Sequence, residues 1–335
     1  MSVATIAPEC ADQFSNPNRF TSCSDDFWAV RNWRTVNGVT TLIGEMDIEI
    51  ESSVEFDDPS AGQSGAGWDL NTEVTVYYTW GNLETGTTGS IWQGCYQHPD
   101  KCSTTVQAGS NSNFPEPITL SPGSLTRKWY TQLSAAMPTN NIITNLYGNL
   151  CTALLVNTPA GQITLVDHAG NTLWGRCDVG SFSFGSTIIS NRYGAGCVDD
   201  LGLSLVLYST PDNPSVGPVA AHVYDAIRAL PSHWGSPFGS PLNRLMDPVA
   251  VGNNRAISCS GVISPPGFSC DEYPLATTYQ GGNGASADDR STRVVPQTAN
   301  NSQGGLTSGY YDYYRVVNSD PFFVQAVLAD GSTAW

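Results

Sequence analysis

The chain of 335 residues carries a net charge of −16, with only 14 Lys and Arg against 30 Asp and Glu. That balance excludes a protein built to hold nucleic acid tightly and without specificity, because such a hold comes from lysine and arginine releasing counterions. The length exceeds one typical core and allows two domains, the 40% hydrophobic content suffices to pack them, and 33 Gly, 21 Pro and 13% charged residues read as β-rich and loop-rich.

In chain order, Met1-Ser2-Val3-Ala4-Thr5 lacks the basic start and apolar run of a signal peptide, as a mature chain behind an added methionine would. Val36-Asn37-Gly38-Val39 is a hairpin signal. Met46-Asp47-Ile48-Glu49-Ile50-Glu51 sets three apolar residues against three acids and predicts a half-buried strand. Thr72 to Trp80, Ile163 to Val166 before a turn at Ala169-Gly170-Asn171, and Leu201 to Tyr208 predict further strands. Helical periodicity is almost absent to about residue 211, so the spacing predicts an antiparallel, sandwich-like β domain over residues 1–211. Asp58 to Gly67 and Gln107 to Pro117 read as surface loops, and Thr210-Pro211-Asp212-Asn213-Pro214 as a linker. Beyond it, Val219, Val223, Ile227 and Leu230 recur at helical spacing behind Gly217-Pro218 and predict a helix over Pro218 to Leu230. The following stretch to Asn254 reads as loop, and no stretch reaches a membrane-spanning length, which predicts a soluble protein.

Nine cysteines without a C-x-x-C arrangement predict disulfides in an oxidising compartment, hence a secreted, extracellular protein, with one thiol left over. Proximity in sequence selects Cys10 with Cys23, Cys95 with Cys102, and Cys259 with Cys270; connectivity is otherwise open. The four histidines, His98, His168, His222 and His233, show no metal spacing and read as structural or surface residues. The pairs Asp25-Asp26, Asp57-Asp58 and Asp199-Asp200 offer oxygen to calcium, although paired loop acids are more often only solvated.

Chemistry gathers between Cys270 and Gly305. Asp271-Glu272 precede the restricted Tyr273-Pro274 step; Gly281-Gly282-Asn283-Gly284, Asp288-Asp289-Arg290, Arg293 and an Asn/Gln cluster opening a helix through Tyr310 and Tyr314 follow. Carboxylate, amide oxygen and guanidinium are the parts of metal-assisted phosphodiester hydrolysis. Glu272 or Asp271 can be the base, Asn300 a neutral oxygen ligand, and Arg293, Arg290 or Arg315 the positive charge on the transition state, while Gln303, Arg290 and Tyr310 can contact substrate. The bland uses are a solvated acid pair, an asparagine helix cap, arginines paired with acids such as Asp312, and tyrosines packing the helix on the last strand.

These blocks resemble the NucA/NucB deoxyribonucleases, secreted bacterial endonucleases with a small metal-dependent core. The resemblance lies in Asp271-Glu272-Tyr273-Pro274-Leu275-Ala276, Gly281-Gly282, Val295-Pro296 leading to Asn300 and Gly304, and Phe322-Phe323-Val324-Gln325. Upstream, Ala221 to Ile227 looks like the family's first helix, and Asn254-Arg255 with Cys259 leads to the acids. It covers roughly the last third of the chain and rests on the order of the blocks. It implies an α+β nuclease domain over 216–335, with Glu272 as base, Asp271 as neighbouring acid, Asn300 and Asp271 on a single Mg²⁺ or Mn²⁺ ion, and DNA as substrate. The ligand of the N-terminal domain stays unknown. The chain departs from the pattern at Ala299, where the family places an acid before the asparagine. That departure keeps an alternative open, a weakened or inactive nuclease fold serving as a binding, delivery or toxin-like protein. From residue 216 onward six arginines meet nine acids, a net of −3, so −13 falls on the N-terminal part.

Overall fold

The computed structural model describes residues 19–57, 67–84, 87–95, 102–104, 116–133, 143–145, 150–159, 161–166, 176–199, 203–208 and 214–335. Cys10, the side chains of Cys95 and Cys102, the turn at 169–171, the loop residues 58–66 and 107–115 and the linker residues 210–213 lie outside these. The described residues are mainly antiparallel β with few helices. The chain divides into two compact units, residues 1–179 with 194–200, and residues 180–193 with 201–335.

In the first unit, β1 (Thr21–Val36), β2 (Val39–Phe56) and β3 (Gly67–Gly81) begin a five-stranded sheet that continues through Gly123–Leu133 to Cys102–Thr104. Asn37 and Gly38, both at positive φ (52° and 79°), make the two-residue turn between β1 and β2. Such a turn matches the right-handed twist of paired strands and favours Asn-Gly. A four-stranded sheet, in the order Gly161–Val166, Leu150–Thr158, Thr87–Cys95, Glu116–Leu120, supplies the rest of the core. Met46, Ile48 and Ile50 of β2 and Val74 and Val76 of β3 share that core with Ile91, Ile118, Leu154 and Val156. Each fully buried aliphatic side chain contributes about 1.5–3 kcal/mol. Cys177 and Cys197, opposite one another on adjacent strands, form a disulfide that sequence proximity did not select, being 20 residues apart.

In the second unit, α1 (Gly217–Ala229) carries Pro218 in its first turn and buries Val219, Val223 and Ile227 as its spacing predicts. The strand Leu203–Tyr208 pairs in parallel with the last strand, Pro321–Val327. It was expected among the antiparallel strands of the N-terminal part. Buried Leu205 and Leu207 instead share a core with Phe322 and Val324, and an apolar run alone does not tell which edge it will pair with. The stretch to Asn254, read as loop, takes in the start of α2 (Pro248–Ser258). Its start is set by Asp247, whose carboxylate accepts from the backbone N–H of Val249 at 2.9 Å, with Pro248 in the first turn. The acid-bearing strand Phe268–Tyr273 pairs antiparallel with Ser291–Pro296, and α3 (Gln297–Tyr313) follows directly.

Candidate active site

The site is built on the end of the strand Phe268–Tyr273. Neighbouring strand residues point to opposite faces, so Asp271 and Glu272 are engaged by different helices. Asp271, buried, lies with Oδ2 2.6 Å from Nδ1 of His222 on α1, and Nε2 of that ring is 2.9 Å from the hydroxyl of Ser291 on the partner strand. An ionised carboxylate only accepts, so Nδ1 carries its proton and Ser291 can donate to Nε2. Glu272, also buried, accepts from Nε of Arg255 on α2 at 3.3 Å. Burial pushes its pKa up, Arg255 opposes that shift, and Asp271 adds to it. At the strand's end the Tyr273–Pro274 peptide is cis, and both carboxylates line one cavity.

Two ties hold the strand. The expected disulfide between Cys259 and Cys270 joins the end of α2 to the residue before Asp271. Asn300, in the first turns of α3, donates its amide N–H groups to Ser269 Oγ and to the Cys270 carbonyl, both at 3.0 Å. Gly281-Gly282 packs against α2. Gly282 has φ +54°, and a Cβ there would lie 2.5 Å from Cα of Asn254, whose amide in turn donates to the carbonyls of Ala276 and Thr278.

The cavity, of about 310 Å³, is lined by Asp271, Glu272, Arg244, Arg255, Gln303 and Thr307 among others. Of the residues selected from the sequence, the fold brings Asp271, Glu272 and Gln303 together there. Asn300 is not among the lining residues. Arg293 stands opposite Asp271 in the strand pair but donates at 2.8 Å to Asp225 of α1, in a largely exposed ion pair. Arg290 donates to the Gly282 carbonyl at 2.7 Å. Arg315 is fully buried at a left-handed position after α3, and Tyr310 is buried against Tyr314 and Phe322, so that ring faces the core. Sequence reading missed His222, Arg244 and the position of Arg255 against Glu272. For His222 a signal existed, a polar residue on the apolar face of α1 between Val219 and Val223. Among the described residues no group of three or more His, Cys, Asp or Glu is placed to hold a metal ion, which includes the Asp25-Asp26 pair.

This cavity sits largely inside a recognisable segment. Residues 250–325 match the family model of deoxyribonuclease NucA/NucB. No curated protein matches the chain. The NucA/NucB segment takes in most of α2, both paired strands, α3 and much of the last strand, so the match points to a nuclease. It leaves out His222 on α1, Arg244 and the cavity residues Leu245, Met246 and Pro248. The Cys177–Cys197 and Cys259–Cys270 disulfides fit an oxidising compartment, and among the described residues no helix is long and apolar enough to cross a membrane.

Proposed function

We propose that the second unit is a small α+β, metal-dependent endonuclease domain hydrolysing phosphodiester bonds of DNA, in a protein that works outside the cell. The observation that carries the reading is the convergence of two buried carboxylates, Asp271 and Glu272, on one cavity within the NucA/NucB segment.

The donor chemistry of the cavity fits a hard cation. Two carboxylates with the amide of Gln303 and the hydroxyls of Thr277 and Thr307 are all-oxygen donors, and Mg²⁺ or Mn²⁺ bound by one or two carboxylates keeps several waters. Asp271 would hold such an ion through the oxygen not turned to His222. When bound, the ion would neutralise charge on the phosphate and its leaving oxygen. Asn300 supports the site through the strand, by fixing the backbone at Cys270 beside the acids.

Glu272 is the general base in this reading. Burial raises its proton affinity above that of an exposed glutamate, which makes it a stronger base, and Arg255 contacts its carboxylate at the cavity. His222 keeps Asp271 in one orientation. Arg255 reaches the cavity from α2 and can meet the charge that develops on the phosphate.

A second reading, a nuclease fold without turnover, has Ala299 in its favour. The position where the family pattern carries an acid is here a buried alanine of the core. Plasmid nicking by the purified chain with Mg²⁺ or Mn²⁺, with EDTA, and in Glu272→Gln decides between them. Metal-dependent nicking that drops by about 10²–10⁴-fold in Glu272→Gln is expected of the enzyme. No nicking by the chain, with nicking gained in Ala299→Glu, would establish the second reading.

A further inference from the structure

Arg244 is a cation that no carboxylate of the described residues pairs with directly. It lies three residues before the Asp247 cap of α2, with its backbone fixed by N–H donation to the Asp320 carbonyl at 2.9 Å and by a bridge to Thr278. Its guanidinium carbon stands 4.1 Å from the ring centroid of Tyr311, Nη1 donates to the carbonyl of Val316, and the residue lines the cavity that holds Asp271 and Glu272. Among the described residues it makes no ion pair with a carboxylate, whereas Arg255 and Arg293 each do. Tyr311 does not serve as its counterion, because burial pushes that phenol up to about 12 and leaves it neutral at physiological pH. Burial also depresses the Arg244 guanidinium itself, opposed by Tyr311, Asp312 and Asp320. An arginine stays protonated through such a shift. Taking a charge out of water without a paired carboxylate is costly, and here the charge is held against a cavity open to a ligand. One carbonyl and one ring face leave most of its five N–H donors for something else. Thr307 of α3 lines the same cavity, and its hydroxyl is buried without a hydrogen-bond partner.

We propose that Arg244 is the phosphate-binding subsite of this cavity, taking the backbone phosphate of a nucleic acid. The planar fork of a guanidinium fits two phosphate oxygens, and stacking on Tyr311 fixes the plane of that fork before the ligand arrives. That the phosphate belongs to a nucleic acid rests on the nuclease reading; the anion site itself does not. Arg244 lies outside residues 250–325, so the matched segment does not contain it.

The test uses the full chain with Arg244→Gln and Arg244→Lys, in EDTA so that nothing is cleaved. Inorganic phosphate should raise the melting temperature of the wild type, leave Arg244→Gln unmoved, and act on Arg244→Lys to an intermediate degree. A short DNA duplex should bind Arg244→Gln about tenfold or more weaker than the wild type, with the slope of log affinity against log salt smaller by about one. The lysine variant retains the charge and keeps the comparison available should the glutamine variant not fold. No response of the wild type to phosphate, or an equal response in wild type and variants, would overturn the anion site. Unchanged duplex affinity and salt slope would overturn nucleic-acid phosphate as its ligand. An Arg244-dependent phosphate response without any plasmid nicking in Mg²⁺ would sink the nuclease reading alone and leave the anion site standing.

Discussion

His222 is a helix residue whose function is read only from a strand 49 residues later. Its ring is fully buried between the Asp271 carboxylate and the Ser291 hydroxyl. Removing it leaves a buried carboxylate without its partner, which costs about 1–3 kcal/mol or more for a charged group. His222→Ala is therefore expected to lower the unfolding free energy measured in urea by that amount and to reduce nicking. The double variant with Asp271→Asn should lose less than the sum of the two single losses. Additive losses would mean that the two side chains act independently. Glu272 gives a prediction of a different sign. Its folded pKa lies above the ordinary 4.5, so the folded state binds more protons than the unfolded one between those two values. The stability it confers is complete below the unfolded pKa and is lost as pH rises through the folded one. In EDTA, Glu272→Gln should melt higher than the wild type at neutral pH, and the difference should close near pH 4. Arg255 adds little in the other direction, since its side chain is 65% exposed. The acid pair was legible in the sequence because two adjacent carboxylates before a proline are conspicuous. The partners of the pair were not, because α1 and α2 reach them only in three dimensions.

The helices and strands divide in the same way. The α1 pattern, with Val219, Val223 and Ile227 at helical spacing, is carried by local periodicity and was readable. So was the hairpin between β1 and β2, which needs only two residues tolerant of positive φ. By contrast α2 buries none of its own residues fully and so has no apolar stripe to announce it. Its local signal was the Asp247-Pro248 start, and its position is held by the Cys259–Cys270 disulfide and the Arg255–Glu272 contact. The disulfide closes a loop with a sequence separation of 11 residues. Chain-entropy arguments put its contribution at about 2–3 kcal/mol. The Cys259→Ser, Cys270→Ser double variant should lose stability of that order in urea, and its nicking rate should fall further than the Cys177→Ser, Cys197→Ser pair's. Equal effects on nicking would argue that α2 does not hold Glu272 in place. The parallel pairing of Leu203–Tyr208 with the last strand was beyond sequence reading, because its partner lies more than a hundred residues away and an apolar strand carries no address.

At the scale of the whole molecule the charge is the dominant fact. The N-terminal part carries −13 of the −16, and the first sheet concentrates acids on its outer face. There Asp25, Glu51 and Glu73 stand directly across β1, β2 and β3 from one another. Like charges in direct cross-strand register destabilise a sheet. The acids respond as expected of such a register: burial first, then the neighbouring carboxylates, holds Asp25 above 3.8 and Glu51 above 4.5. Both shifts are upward, so the folded state keeps protons that the unfolded state has already given up. Stability from these groups is therefore greatest at acidic pH and falls as pH climbs through their folded values. Screening should recover part of the loss, since these side chains are only partly buried and salt weakens their repulsion. Glu51→Gln is expected to stabilise the protein at pH 7.5 and low salt by on the order of 0.2–1 kcal/mol. The gain should shrink in 1 M NaCl and fade as pH drops below the ordinary carboxylate range, to about pH 3, where Glu51 of the wild type is itself protonated. Melting curves across that grid of pH and salt carry the decision. A gain that persisted at pH 3 and in high salt would assign it to packing or strand propensity, and the acidic face would then be no burden on the fold.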